Sequence, residues 1–145
     1  MAGMRAPVSS ILSSAALAVL TLSVFWLERD AGPSGVVKMF NEYARMNQWE
    51  KVSSVSLEYQ DYEAAIRMKD SFELAQAIYQ KNGEFNVIDT KVKGPEALVS
   101  GVYQLGPRRL VTYWVVDRTP AGWKINFYES SQFANEMWLR GLMQR

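Results

Sequence analysis

The chain has 145 residues, sixteen of them Lys or Arg against fifteen Asp or Glu, for a formal net charge of +1, and it contains neither histidine nor cysteine. Without cysteine there are no disulfides, no thiol catalysis, no lipid-modified cysteine anchor and few routes to a zinc site. Without histidine the commonest general base and metal ligand is missing. Setting Arg5 aside leaves fifteen basic against fifteen acidic residues, a formal neutrality that gives no electrostatic footing for nucleic acid or for an anionic membrane surface.

Ala6 to Leu27 is a run of twenty-two residues without a charge, closed by Glu28, Arg29 and Asp30. About twenty apolar residues suffice to cross the hydrocarbon core of a bilayer. A secretory signal needs small residues at a cleavage site. The one on offer, Ala16-Leu17-Ala18, would leave Val19 to Leu27, the most apolar stretch, on the mature chain, and Ser9, Ser10, Ser13 and Ser14 dilute what precedes it. The expectation is therefore an uncleaved signal anchor, a transmembrane helix over 6–27 behind a tail of residues 1–5. Arg5 and the terminal amine on one side nearly balance Arg29 and Lys38 on the other, so the positive-inside rule barely chooses a side. A short tail is simplest to leave in the cytoplasm, with the bulk of the chain in the periplasm of a bacterial inner membrane or an equivalent outer compartment. The acid-free start also admits a mitochondrial targeting reading, although Arg5 alone is far from Arg-rich.

Residues 28–35, with Ala31-Gly32-Pro33-Ser34-Gly35, read as a linker in which Ser34 or Gly35 starts a helix. From there Val36, Phe40, Tyr43, Ala44 and Asn47 recur at helical spacing and predict one apolar face. Trp49 to Leu57 predicts a shorter helical piece, and 61–69 carries no clear signal. Asp70-Ser71-Phe72-Glu73 has the spacing of a capping box, opening a helix with Phe72, Ala75, Ile78 and Tyr79 on one side that stops at Asn82-Gly83. Beyond Gly83 the period becomes strand-like. Runs at Glu84 to Lys93, Glu96 to Leu105, Arg108 to Arg118 and Trp123 to Glu129 are separated by Gly94-Pro95, Gly106-Pro107 and Thr119-Pro120-Ala121-Gly122, the pattern of a hairpin meander. Simple turns set Val92 opposite Ala97, Thr90 opposite Val99, Tyr103 opposite Leu110, Val99 opposite Trp114, Val116 opposite Ile125 and Trp114 opposite Phe127. All of these fall on one face, which should meet the helices. Gln132 to Arg145 predicts a terminal helix.

The opposite sheet face is expected to carry Leu98, Val102, Val111, Tyr113, Val115 and Tyr128, with Phe85 and Val87 from the first strand, inside a rim of Lys91, Asp89, Gln104, Arg109, Lys124 and Asn126. An ordinary solvent face alternates to polar residues. Single exposed Val and Tyr need no explanation, but a contiguous apolar patch with a polar rim has the composition of an interface centre. On the terminal helix Phe133, Met137, Trp138, Leu139, Leu142 and Met143 are spread around the axis. They suit either a docked cap or an element that meets a partner or the membrane interface, for which Phe133, Met137, Trp138 and Leu142 are the candidates.

A helix patterned over Val37 to Trp49 and ending Asn47-Gln48-Trp49-Glu50, further helix, and then a meander whose last hairpin reads Asp117-Arg118-Thr119-Pro120-Ala121-Gly122-Trp123-Lys124-Ile125 resembles the nuclear transport factor 2-like superfamily. The resemblance covers about residues 34–130. It implies a curved sheet wrapped around helices in a cone, with an outer face that often forms a dimer. Some relatives, such as ketosteroid isomerases and dehydratases, are enzymes that set Asp, Tyr or His inside the cone. Here the groups on the helix-facing side are Tyr43, Thr90 and Tyr103, while Asp89 and Asp117 fall on the other face, so the acid-base pair that such chemistry requires is missing.

The expected architecture is α+β: a transmembrane helix, a linker, a domain over 36–130 with helices packed on an antiparallel meander of four or more strands, and a terminal helix over 131–145. The expected function is a non-catalytic interaction or assembly module of a cell-envelope membrane complex, whose partners are other subunits or a second copy, with no cofactor or metal. Inner-membrane scaffold subunits of conjugative secretion machines resemble this plan and are longer. A second expectation is a protein that holds a small apolar ligand in the cone, with Tyr43, Trp114 and Phe127 as walls.

Overall fold

The computed structural model describes residues 32–58 and 62–143, so the expected tail and membrane span lie outside the described residues. Among those residues no helix is long and apolar enough to cross a membrane. The chain forms α1 (Pro33–Arg45), a 3-10 turn (Trp49–Ser54), α2 (Tyr62–Gln80), β1 (Glu84–Lys93), β2 (Glu96–Leu105), β3 (Arg108–Thr119), β4 (Gly122–Asn126) and α3 (Phe127–Met143). The four strands make one antiparallel sheet in the order β1-β2-β3-β4. This is the α+β fold of helices and meander that the periodicity predicts.

Helix α1 begins one residue earlier than Ser34, with Pro33 in its first turn behind Gly32, where a missing N–H costs nothing and φ is already helical. It buries Val36, Val37, Phe40, Asn41 and Ala44, whereas Tyr43 packs half-buried at the margin of the core. Helices α1 and α2 each end on an asparagine. Asn47 and Asn82 have φ of 55° and 61°. Each is followed by a residue whose N–H reaches back five positions, Gln48 to Tyr43 O at 2.8 Å and Gly83 to Ile78 O at 2.9 Å. That is the Schellman closure of a helix end. Asn47 Oδ1 also accepts from Gln76 Nε2 at 2.6 Å, tying the end of α1 to α2.

The capping-box reading of Asp70 is wrong. Helix α2 starts at Tyr62 and runs through Asp70 without a break, because Ala64 is buried and Met68 packs on the core, and that burial outweighs a local cap signal. Ser71, inside the helix, turns its hydroxyl back to Arg67 O at 2.9 Å.

The hairpin turns set the register. Gly94 and Gly106 have positive φ, 60° and 58°, and each precedes a proline, the arrangement a two-residue type II′ turn requires. Val92 pairs with Ala97, Thr90 with Val99, Val99 with Trp114, Tyr103 with Leu110 and Val116 with Ile125, as the period-two count predicts. One shift interrupts β1: the register slips between Val87 and Asp89, leaving Ile88 as the extra residue of a bulge. Below it the side chains change faces. Phe85 lies opposite Tyr103 and stacks against it at 4.8 Å between ring centroids, so Phe85 and Val87 pack against the core and not on the outer face. Gly101 makes room for this, since a Cβ there would sit 2.4 Å from the Phe85 ring.

Phe40 is the centre of the core. Fully buried, its ring meets Phe72 of α2 at 6.1 Å, Trp114 of β3 at 5.4 Å and Phe127 of α3 at 5.1 Å. One polar contact lies beside it. The Tyr103 hydroxyl donates to Asn41 Oδ1, and Asn41 Nδ2 donates to Val37 O at 3.0 Å, so the buried amide is satisfied on both sides. Burial, reinforced by the nearby Tyr79, pushes the Tyr103 phenol well above the ordinary range, with the Asn41 hydrogen bond opposing. Burial likewise pushes Tyr79 up to about 12.

Phe40→Ala should cost about 3–5 kcal/mol, measured by chemical denaturation, because it empties the position that three elements share. Raised tyrosine pKa values fix the sign of the alkaline response. Above about pH 10 the unfolded chain releases phenolic protons that the native state keeps, so stability falls as pH rises. Tyr103→Phe should make that fall shallower in denaturation curves taken between neutral pH and about pH 11, while costing about 1–3 kcal/mol at neutral pH through the unsatisfied Asn41 carbonyl.

Candidate functional site

A cleft of about 360 Å³ opens between α2, β3 and α3. Arg67, Asp70, Ser71 and Leu74 line it from α2, Leu110 to Trp114 from β3 with Tyr103 behind them, and Phe127, Ser130, Ser131 and Ala134 from α3. Leu74, Leu110 and Val111 remain 46 %, 45 % and 48 % exposed in or around it. Its chargeable groups sit on the α2 side, where Arg67 pairs with Glu63 at 3.5 Å. The Tyr103 hydroxyl is already committed to Asn41. A second, polar hollow of about 600 Å³ lies where α1 and α2 end and is lined by Arg45, Asn47, Gln76, Tyr79 and Asn82 among others. Much of its hydrogen-bonding capacity is spent on the helix ends and on the Arg45–Glu42 ion pair. Among the described residues no three Asp or Glu gather as a metal site would need.

The cleft exists because β4 stops early. The run expected to continue as strand to Glu129 instead becomes helix at Phe127. Asn126 Oδ1 accepts the N–H of Glu129 at 3.0 Å, as an N-cap does, and Asn126 Nδ2 is held by Asp117 Oδ2 at 2.8 Å. Ser130 Oγ accepts the Val115 N–H at 2.8 Å and donates to Asn126 O at 2.6 Å. The hydroxyl thus stands in the next rung of the β3–β4 ladder and closes it. Phe127 does not pair with Trp114 across a strand, yet still reaches it, with ring centroids 6.3 Å apart. Tyr128 is a helix residue rather than part of the outer sheet face.

Of the remaining outer-face candidates, Val102 and Val115 are buried, Leu98 and Tyr113 half-buried, and Val111 exposed. Tyr113 packs edge-on against Phe133 of α3 at 5.3 Å. Val111 and Tyr113 therefore meet in the cleft, while the others do not form an open patch. Trp114 and Phe127 line this cleft, Tyr43 does not, and Phe40 fills the space between them and α1. On α3, Phe133 packs on Tyr113 and Met137 is half-buried, Trp138 and Leu139 are exposed, and the Leu142 side chain lies outside the described part. Arg67, Leu74 and Ser130 were not singled out by the sequence; the one signal for this corner is Asn126-Phe127-Tyr128-Glu129, which has the spacing of a capping box.

No protein-family model matches this chain, nor does any curated protein or any solved structure.

Ser130→Ala should leave the buried Val115 N–H without its acceptor and cost about 1–3 kcal/mol. Hydrogen exchange at the Val115 amide should accelerate by more than at Val116, which pairs within the sheet.

Proposed function

We propose that this chain is a non-catalytic interaction module of nuclear transport factor 2-like type, held at a bacterial inner membrane by its uncharged segment 6–27, with the domain in the periplasm, and acting as an assembly subunit of an envelope complex. The observation that carries the reading is the cleft bordered by Leu74, Leu110 and Val111, three exposed apolar residues from two elements around one opening. An apolar centre with Arg67 and Asp70 at its rim has the anatomy of a protein-binding patch. A general acid and base facing each other is the minimum for the isomerase chemistry of the superfamily, and Asp70 is the one carboxylate among the described lining residues. A small apolar ligand is the second reading, favoured by a volume within the range of about 300–1,000 Å³ typical of ligand sites.

Val111→Glu separates the two. Its side chain is exposed, so stability should change by no more than about 0.5 kcal/mol. Full-length chain extracted in mild detergent should lose its co-purifying membrane partner with this substitution. Retained partner capture together with lost uptake of an apolar dye would favour the ligand reading instead.

A further inference from the structure

In β3 the peptide groups alternate between its two neighbours. The Arg118 N–H goes to Pro95 O, on the β2 side, at 2.7 Å, and the Val115 N–H goes to Ser130 on the other side. Even-numbered residues of β3 therefore turn their N–H and C=O toward β2 and odd-numbered ones away from it, as an antiparallel ladder requires. Strand β4 covers the outward edge from Val115 to Thr119. Before Val115 the outward groups belong to Tyr113, Val111 and Arg109, and among the described residues no strand lies beside them.

The other edge of the sheet is built differently. Strand β1 carries the Ile88 bulge together with Glu84, Asp89, Lys91 and Lys93, and a bulge and charges are the usual defences against pairing with another chain. From Leu110 to Tyr113 the β3 edge has neither, and it opens onto the cleft. At its start Arg108 and Arg109 are exposed and enter no ion pair among the described residues.

We propose that this edge takes an extended segment of a partner protein as a fifth, antiparallel strand, with apolar side chains at alternate positions entering the cleft and a carboxylate near the segment's C-terminal end meeting Arg109. The inference rests on the reading of the cleft as a protein-binding site and names its mode. Antiparallel pairing gives two hydrogen bonds at each of Arg109, Val111 and Tyr113. Segment residues opposite Leu110 and Thr112 share their face, which is the cleft side lined by Leu74 and Phe127. The residue opposite Arg109 is the penultimate or last of the paired stretch, because the strands run in opposite senses.

The probe is a fluorescein-labelled peptide of alternating threonine and valine ending in glutamate, titrated into the detergent-solubilised full-length chain and followed by anisotropy. Saturable binding below millimolar concentration is expected. N-methylation of the peptide amides that would face β3 should weaken it at least tenfold, and lysine in place of the terminal glutamate several-fold, with Arg109→Glu restoring the lysine peptide. Val111→Pro should also weaken binding at least tenfold, since it removes a donor that the domain's own ladder does not use and that proline on a sheet edge can spare. Should that variant fold poorly, the N-methylated peptide on the unsubstituted chain carries the same test. Equal binding of methylated and unmethylated peptides overturns the strand while leaving a protein-binding cleft. Absence of saturable binding overturns the strand as well, and the cleft reading falls with it only if Val111→Glu also spares partner capture. Self-association abolished by Val111→Pro would assign the edge to a second copy and overturn the partner segment.

Discussion

Everything in this domain is arranged around the Phe40 ring. A sheet of four strands has one face to bury, and helices bury it only if some side chain fills the space where they converge. Phe40 does so from α1, touching a ring on α2, one on β3 and one on α3. Its position makes the interior a packed core and pushes open space to the periphery, where α2 and α3 part over β3. The Asn41–Tyr103 contact next to Phe40 fixes how α1 lies on β2. A buried amide that must meet one hydroxyl and one carbonyl tolerates little sliding, whereas apolar packing alone would allow it.

The parts of this arrangement that follow from period and turn chemistry are legible in the chain. Glycine before proline at two hairpins sets register, and register sets which of Ala97, Val99, Trp114, Val116 and Ile125 look inward. What is not legible is any event that changes parity. Ile88 adds one residue to β1 and reverses the facing of Phe85 and Val87. Its trace in the sequence is indirect: Gly101, a glycine in the middle of a strand, marks the place where the Phe85 ring crosses the backbone. Helix ends show the same limit. Asp70-x-x-Glu73 and Asn126-x-x-Glu129 carry the same local signal, yet only the second marks a helix start. Long-range burial of Ala64 and packing of Met68 decide against the first, and the hydroxyl of Ser130 supports the second. The candidate site is legible to a lesser degree, because Val111, Tyr113, Trp114 and Phe127 announce themselves as apolar, whereas Leu74 joins them only through the packing of α2 against the rest.

The two edges of the sheet follow from this geometry. Closing β4 at Asn126 frees α3 to bring Phe127 into the core, which the ring cluster around Phe40 requires. The same closure withdraws β4 from the first half of β3. A fold that needs Phe127 inward therefore leaves peptide groups of β3 uncovered, and the cleft is a structural consequence of the core rather than an addition to it. Burying those groups without partners would cost several kcal/mol in total. They lie open to solvent at the exposed end, around Arg109 and Val111, and the proposed incoming strand would replace that hydration with hydrogen bonds of similar strength. The net gain on pairing then comes mainly from apolar side chains entering the cleft beside Leu74 and Leu110. With an edge of three outward residues that gain is modest. If 6–27 is the membrane tether proposed above, it would convert that gain into stable association by raising the local concentration of any partner in the same membrane, and the proposed edge and the proposed anchor would then be complementary parts of one binding device.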